Sequence, residues 1–314
     1  MPHRLYVRLV VALLIGVLAG AVCYYFLAQS GTANDFTWLL LSAKRLLAGN
    51  NPYQGRLAPL PYDADAPLQY PLPTVLLAIP FTVVSQPVPG ALFVGASSAL
   101  LAFLLTRADW WPLLLFTACP FWQAVNLAQF SPLVAAAVLL PALPLALLKP
   151  NLALPAVAAW PNVRGLLLSA ALYGGSLLLL PSWPLDMLRN ADQVRHVMPL
   201  LSATGPLLLL ALLRWREPRA RLLLAMAVLP QRTLPYDQLL LWLIPSSWMQ
   251  MLVMSLVSWV LFWLQLLPGM TAWLSSLQFL VALACVLWPA RAREVPAPES
   301  PRAHAQPVSG RLLG

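Results

Sequence analysis

The chain has 314 residues, 60% of them hydrophobic and 9% charged, with a formal net charge of +9. A soluble domain carries about a quarter charged residues, so this composition excludes a water-soluble globular protein and fits a surface that faces lipid. The positive charge lies in short segments between apolar runs and forms no basic face, which excludes nucleic acid as a partner and predicts contact with membrane lipids.

Arg4 and Arg8 open an apolar run over residues 7–28. It is long enough to cross a hydrocarbon core, which takes about 20 apolar residues. A signal peptide is the alternative, but the run is long for one and Cys23-Tyr24-Tyr25 is a poor cleavage site. We therefore read an uncleaved first helix with its N-terminus in the cytoplasm. A polar outer loop follows over residues 29–70. Within it, residues 36–48 show helical apolar spacing, Asn34 or Asp35 to cap the start, and Gly49-Asn50 to stop it. These features predict a short helix on the outer membrane surface.

From Pro71 onward the chain is almost continuously apolar. Candidate spans are 71–85, 88–106, 110–127, 131–148, 151–160, 164–180, 198–213, 222–230, 238–247, 248–267 and 271–288. The fold class expected is all-α: a polytopic membrane domain over residues 1–290 with roughly 10–12 transmembrane or re-entrant helices. Several segments fall short of a full crossing, which suggests broken helices around a cavity. Trp38, Trp110, Trp111, Trp183 and Trp248 sit near segment ends, as interfacial anchors do. Residues 291–314 lack periodicity and predict a disordered tail.

Orientation follows the arginines. Arg214, Arg216, Arg219 and Arg221 form the densest basic loop, and Arg291 and Arg293 follow the last span. Both regions are expected in the cytoplasm, with both termini, in a multi-pass protein of the plasma (inner) membrane. The segments 29–70, 183–196 and 231–237 then face outward. Cys23, Cys119 and Cys285 lie inside apolar runs without metal-type spacing and read as small core residues, with no disulfide. The ATP-binding, dinucleotide, HExxH and GxSxG motifs are absent.

Ten acidic residues leave each open to consideration. Asp35 reads as a helix N-cap or as a general base at the membrane face. Asp63 and Asp65 read as solvated loop residues, Asp109 as an interfacial partner of Arg107, and Glu217 as a partner of the arginines around it. Asp186, Arg189, Asp192, Arg195 and His196 form a mixed-charge segment, either a solvated turn or a phosphate cradle. Lys149 stands in an apolar stretch, where it either snorkels or marks a functional site. Gln231, Arg232, Tyr236 and Asp237 make a compact polar cluster between two apolar runs.

Five segments in order carry a resemblance: "NDFTWLLLSAKRLLAGNNPYQ", "QYPLPTVLLAIPF", "NLAQFSPLVAA", "ALLKPNLALP" and "LPQRTLPYDQLLLWLIP". Together they resemble glycosyltransferase family 87 of the GT-C superfamily, the polyprenyl-phosphate-mannose-dependent membrane mannosyltransferases. The chain departs from the family pattern in being shorter, in carrying Pro73 for the second proline of Tyr-Pro-Pro, and in having Ala128 where the family has glycine.

The resemblance implies a transferase moving a sugar from a polyprenyl-phosphate donor to a glycan or glycolipid hydroxyl with inversion, and Asp35 as its base. It implies Lys149, Arg195, His196 and Arg232 around the donor phosphate. Tyr70, Gln129, Tyr236 and Asp237 would line the sugar and acceptor site. No metal and no cofactor beyond the donor lipid is implied. The competing readings are a transporter or flippase of a lipid-linked substrate, and a GT-C-like protein without catalysis.

Overall fold

The structure, a computed structural model, describes residues 2–55, 67–191, 197–231, 235–267 and 273–288. The described residues are all-α, with no strand and a single antiparallel bridge between Val197 and Gln231. In chain order the helices are α1 (Pro2–Ser30), α2 (Asp35–Leu47), α3 (Leu72–Ala78), α4 (Val88–Leu105), α5 (Cys119–Asn126), α6 (Ser131–Leu139) and α7 (Leu143–Ala146). They continue with α8 (Pro150–Ala159), α9 (Val163–Leu179), α10 (Trp183–Ala191), α11 (Pro218–Val228), α12 (Trp248–Gln265) and α13 (Trp273–Leu287). Segments in 3₁₀ conformation join them, the longer ones at Trp111–Thr117, Gly205–Arg214 and Pro235–Leu243.

Three of these helices are long and apolar enough to cross a membrane alone: His3–Ser30, Val88–Leu105 and Trp248–Gln265. A fourth candidate is the pair α9 and α10, bent by 100°. Most other expected spans are shorter pieces, and proline is the reason. A proline occupies the first turn of α3, α4, α5, α6, α7, α8 and α11. There its missing N–H costs nothing, whereas inside a helix it would break the ladder. Thus residues 131–148, expected as one span, divide where Pro141 and Pro144 interrupt them.

The tightest pair is α1 against α4. Gly16 and Gly20 face Gly95, so closely that a Cβ on Gly16 would lie 2.7 Å from the Gly95 carbonyl oxygen. Small residues at four-residue spacing let two apolar helices meet backbone to backbone. The helices run antiparallel: Arg8, near the start of α1, donates to the Phe103 carbonyl at 2.8 Å and lies over the Phe103 ring near the end of α4. A guanidinium there complements the negative end of the helix dipole.

A chain of contacts gives the bundle two chemically different ends. At one, Arg107 reaches the Leu139 carbonyl, Asn162 the Pro141 carbonyl, and Arg221 the Ala159 carbonyl. The arginine segment 214–221 therefore shares an end with the start of α1. At the other end, the segments after α1 and α2 meet α10 and the start of Pro235–Leu243, so the described parts of the three expected outer segments lie together. Trp110 and Trp248 are exposed, as anchors require. Trp183 corrects that expectation: it is buried, donates to Ser176 Oγ at 3.0 Å and packs on Tyr53 and Tyr173. The three cysteines are buried free thiols.

Candidate functional site

The site is built on the start of α2. Asn34 occupies the N-cap position with φ 45° and ψ −131°, a conformation disfavoured for residues carrying a side chain. Its side chain makes no capping bond; instead Nδ2 donates to the Asn126 carbonyl at the end of α5. The Asp35 N–H bonds the Leu127 carbonyl at 3.2 Å. Asp35 is thus the first helical residue, which corrects the N-cap reading, and its carboxylate meets Gln129.

Gln129 is presented by an unusual backbone. Ala128 has φ 51°, in the left-handed region that favours glycine, and this turn follows α5 directly. The amide N–H of Gln129 donates to Asp35 Oδ2, while its carbonyl accepts from Lys149 Nζ at 2.9 Å. Those two partners fix which way the amide points. Lys149, at the N-cap of α8, also pairs with Asp237 Oδ1 at 2.8 Å and lies 4.8 Å from the centre of the Tyr236 ring. Asp237 is completely buried and the Lys149 side chain 9% exposed.

The result is a continuous chain of carboxylate, amide, ammonium and carboxylate, drawn from four of the five segments quoted above. Its Lys149–Asp237 end borders a cavity of about 400 Å³, whose walls include Trp38, Tyr70, Asn151, Met187 and Tyr236, while Asp35 and Gln129 are not among the wall residues. Tyr70 is held there by its neighbours: its carbonyl accepts from the Tyr53 hydroxyl at 2.7 Å and its ring rests on Phe130. Gln129 is 1% exposed and bridges Asp35 and Lys149. Arg195, His196 and Arg232 lie outside the described residues, as do Asp63, Asp65 and Asp192.

Part of the mixed-charge segment has a structural task. Asp186 accepts from Asn51 Nδ2 at 3.1 Å and Ser182 Oγ at 2.8 Å, with Arg189 at 3.7 Å. These hydrogen bonds, chiefly from Ser182 and then Asn51, hold its carboxyl below the usual carboxylate range. Buried Asn190 donates to the Tyr53 and Leu68 carbonyls at 3.2 and 3.0 Å. Together they tie the chain after α2 to α10, beside the cavity. Glu217 pairs with Arg214 at 2.9 Å, as expected.

Trp38, expected as an interfacial anchor, is a cavity residue. Its buried indole N–H has no hydrogen-bond partner. The signal was present: a residue three positions after Asp35 shares its helix face. Among the described residues no three His, Cys, Asp or Glu side chains gather to hold a metal ion. Comparisons with protein-family models, with curated proteins and with solved structures give no match to this chain.

Proposed function

We propose that the chain is a membrane glycosyltransferase of the GT-C kind, transferring a hexose from a polyprenyl-phosphate donor to an acceptor hydroxyl on the outer face of the membrane. The observation that carries this reading is the Asp35–Gln129–Lys149–Asp237 chain, which connects Asp35 to a 400 Å³ cavity lined by Lys149 and Asp237 in an apolar helical protein. Asp35 takes the proton of the acceptor hydroxyl as its oxygen bonds the anomeric carbon. The carbon–oxygen bond to phosphate breaks, and its electron pair leaves with the polyprenyl phosphate. Lys149 has three N–H donors, of which Gln129 and Asp237 engage two. The third serves the phosphate, and Arg195, His196 and Arg232 supply further positive charge. Tyr70 and Tyr236 contact the sugar, and Asp237 at the edge of that site holds Lys149 in place. In this reading both termini and the arginine end are cytoplasmic.

The test is transfer from radiolabelled polyprenyl-phosphate mannose to a mixed pool of membrane acceptors by the purified protein in lipid, wild type beside Asp35→Asn. Label moved by the wild type, with a loss of about 10²–10⁴-fold in the variant, supports the reading. Equal transfer by both removes Asp35 from the chemistry.

One observation favours a second reading. The buried Lys149–Asp237 pair is a feature that ion- and proton-coupled transporters use. A transporter keeps its flux in Asp35→Asn and loses it in Asp237→Asn, the pattern opposite to that of the transferase at Asp35.

A further inference from the structure

A second cavity of about 310 Å³ lies at the arginine end, remote from Asp35. Its walls come from α6, α7, α8 and the start of α9, with Leu139, Leu143, Ala146 and Ala156 supplying hydrocarbon. The Asn162 side chain that borders it is engaged by protein on both sides: Nδ2 donates to the Pro141 carbonyl at 3.0 Å and Oδ1 accepts from the Gly165 N–H at 3.1 Å. Such walls leave a buried polar ligand unsatisfied, so the part of an occupant that fits is hydrocarbon.

The surroundings of this cavity are cationic. Arg107 reaches the carbonyl of wall residue Leu139, and exposed Arg164 stands two residues beyond Asn162 in the first turn of α9. Arg221 donates at 2.8 Å to the carbonyl of Ala159, next to wall residue Trp160. Among the described residues the acidic side chains of this end are Asp109, which is exposed, and Glu217, which Arg214 engages. Trp160 is 38% exposed, and an indole at a cavity mouth marks the level of lipid headgroups.

A hydrocarbon pocket opening at headgroup level beside arginines selects an amphiphile with an anionic head. We propose that this cavity holds an acyl chain of an anionic phospholipid, whose phosphate is bound by Arg107 and Arg164. The site stands on its own residues and does not depend on the reaction at Asp35.

Native mass spectrometry of the delipidated protein tests it, titrating phosphatidylglycerol against phosphatidylcholine with the same acyl chains. Wild type retains phosphatidylglycerol preferentially. Replacing both arginines, Arg107→Gln with Arg164→Gln, lowers that affinity about 30-fold, roughly fivefold per arginine, and lowers phosphatidylcholine affinity less, since choline offsets the charge of its phosphate. Ala156→Phe fills the cavity and lowers binding of both lipids; if it does not fold, the arginine pair, on the protein's rim, decides alone. Equal retention of the two lipids by wild type overturns the proposal. So does phosphatidylglycerol affinity that the arginine pair leaves unchanged, or retention of a polyprenyl phosphate without retention of phosphatidylglycerol.

Discussion

Lys149 Nζ stands 2.8 Å from Asp237 Oδ1, joining the N-cap of α8 to the first turn of Pro235–Leu243 with Asp237 wholly shielded from solvent. Neither charge could be buried there alone, because removing one ion from water without a partner costs several kcal/mol. Lys149→Met should therefore destabilise the protein by about 3–5 kcal/mol. Lys149→Met combined with Asp237→Leu should lose clearly less than the sum of the single changes. Thermal unfolding in detergent measures all three, and strict additivity would show that the two charges are not coupled.

Gln129 touches both Asp35 and Lys149 and stays off the cavity wall. Its removal should therefore affect rate more than substrate binding. In the transfer assay Gln129→Leu should lower kcat about 10²-fold, the scale of a misplaced reacting group, with little change in KM for the donor. A raised KM at unchanged kcat would instead make Gln129 a sugar contact.

How much of this could be read in the residues differs from one feature to the next. The all-α apolar architecture follows from composition, and the segments carrying Asp35, Gln129, Lys149 and Asp237 stand out as polar points in apolar sequence. That Gln129 links two of them could not be read, because the link depends on the turn at Ala128, where alanine replaces the glycine that would mark a positive φ. Span lengths were misjudged for a physical reason: hydropathy is blind to where proline restarts the chain, as between α6 and α8. Gly16 and Gly20 carry no message in the sequence by themselves; α4 packing against α1 gives their spacing its meaning. Trp183 looked like an anchor because it ends an apolar run, yet the 100° bend between α9 and α10 leaves it buried.

Ala128 holds φ 51°, where a Cβ costs about 1–2 kcal/mol. Glycine removes that cost but adds freedom to the unfolded chain, worth about 0.4–1 kcal/mol. The balance predicts that Ala128→Gly is neutral or stabilises by up to about 1.5 kcal/mol. Ala128→Val should destabilise clearly, since branched residues tolerate positive φ poorly. A drop in unfolding temperature for the glycine variant would mean that the Ala128 methyl, packed near Gly90, outweighs the backbone relief.

Asp186 supplies a pH dependence with a definite sign. Its folded carboxyl titrates below its ordinary value, so its tie to Asn51 and Ser182 stabilises the protein above the unfolded pKa of about 3.9. That contribution is lost as pH falls through the folded value. Solvent screening keeps it below about 1 kcal/mol. Differential hydrogen exchange in residues 51–54 and 186–191, wild type against Asp186→Asn, should show wild-type protection at pH 6 that declines as pH falls below about 3.9. An unchanged difference across that range would separate the tie from the carboxylate.

Two glycines in apolar helices should respond oppositely to alanine. A Cβ on Gly16 would meet Ala99 Cβ and the Gly95 carbonyl oxygen at 2.7 Å, and backbone cannot move aside without separating α1 from α4. A Cβ on Gly174 would meet nothing within 4 Å, because that position of α9 faces outward. Gly16→Ala should therefore destabilise by about 1–3 kcal/mol through overpacking. Gly174→Ala should be neutral or gain up to about 1 kcal/mol from helix propensity. Unfolding of both variants in one detergent makes the comparison. Equal tolerance at the two positions would mean that the close α1–α4 contact does not support the fold, and loss at Gly174 would mean that the outward face of α9 has a partner.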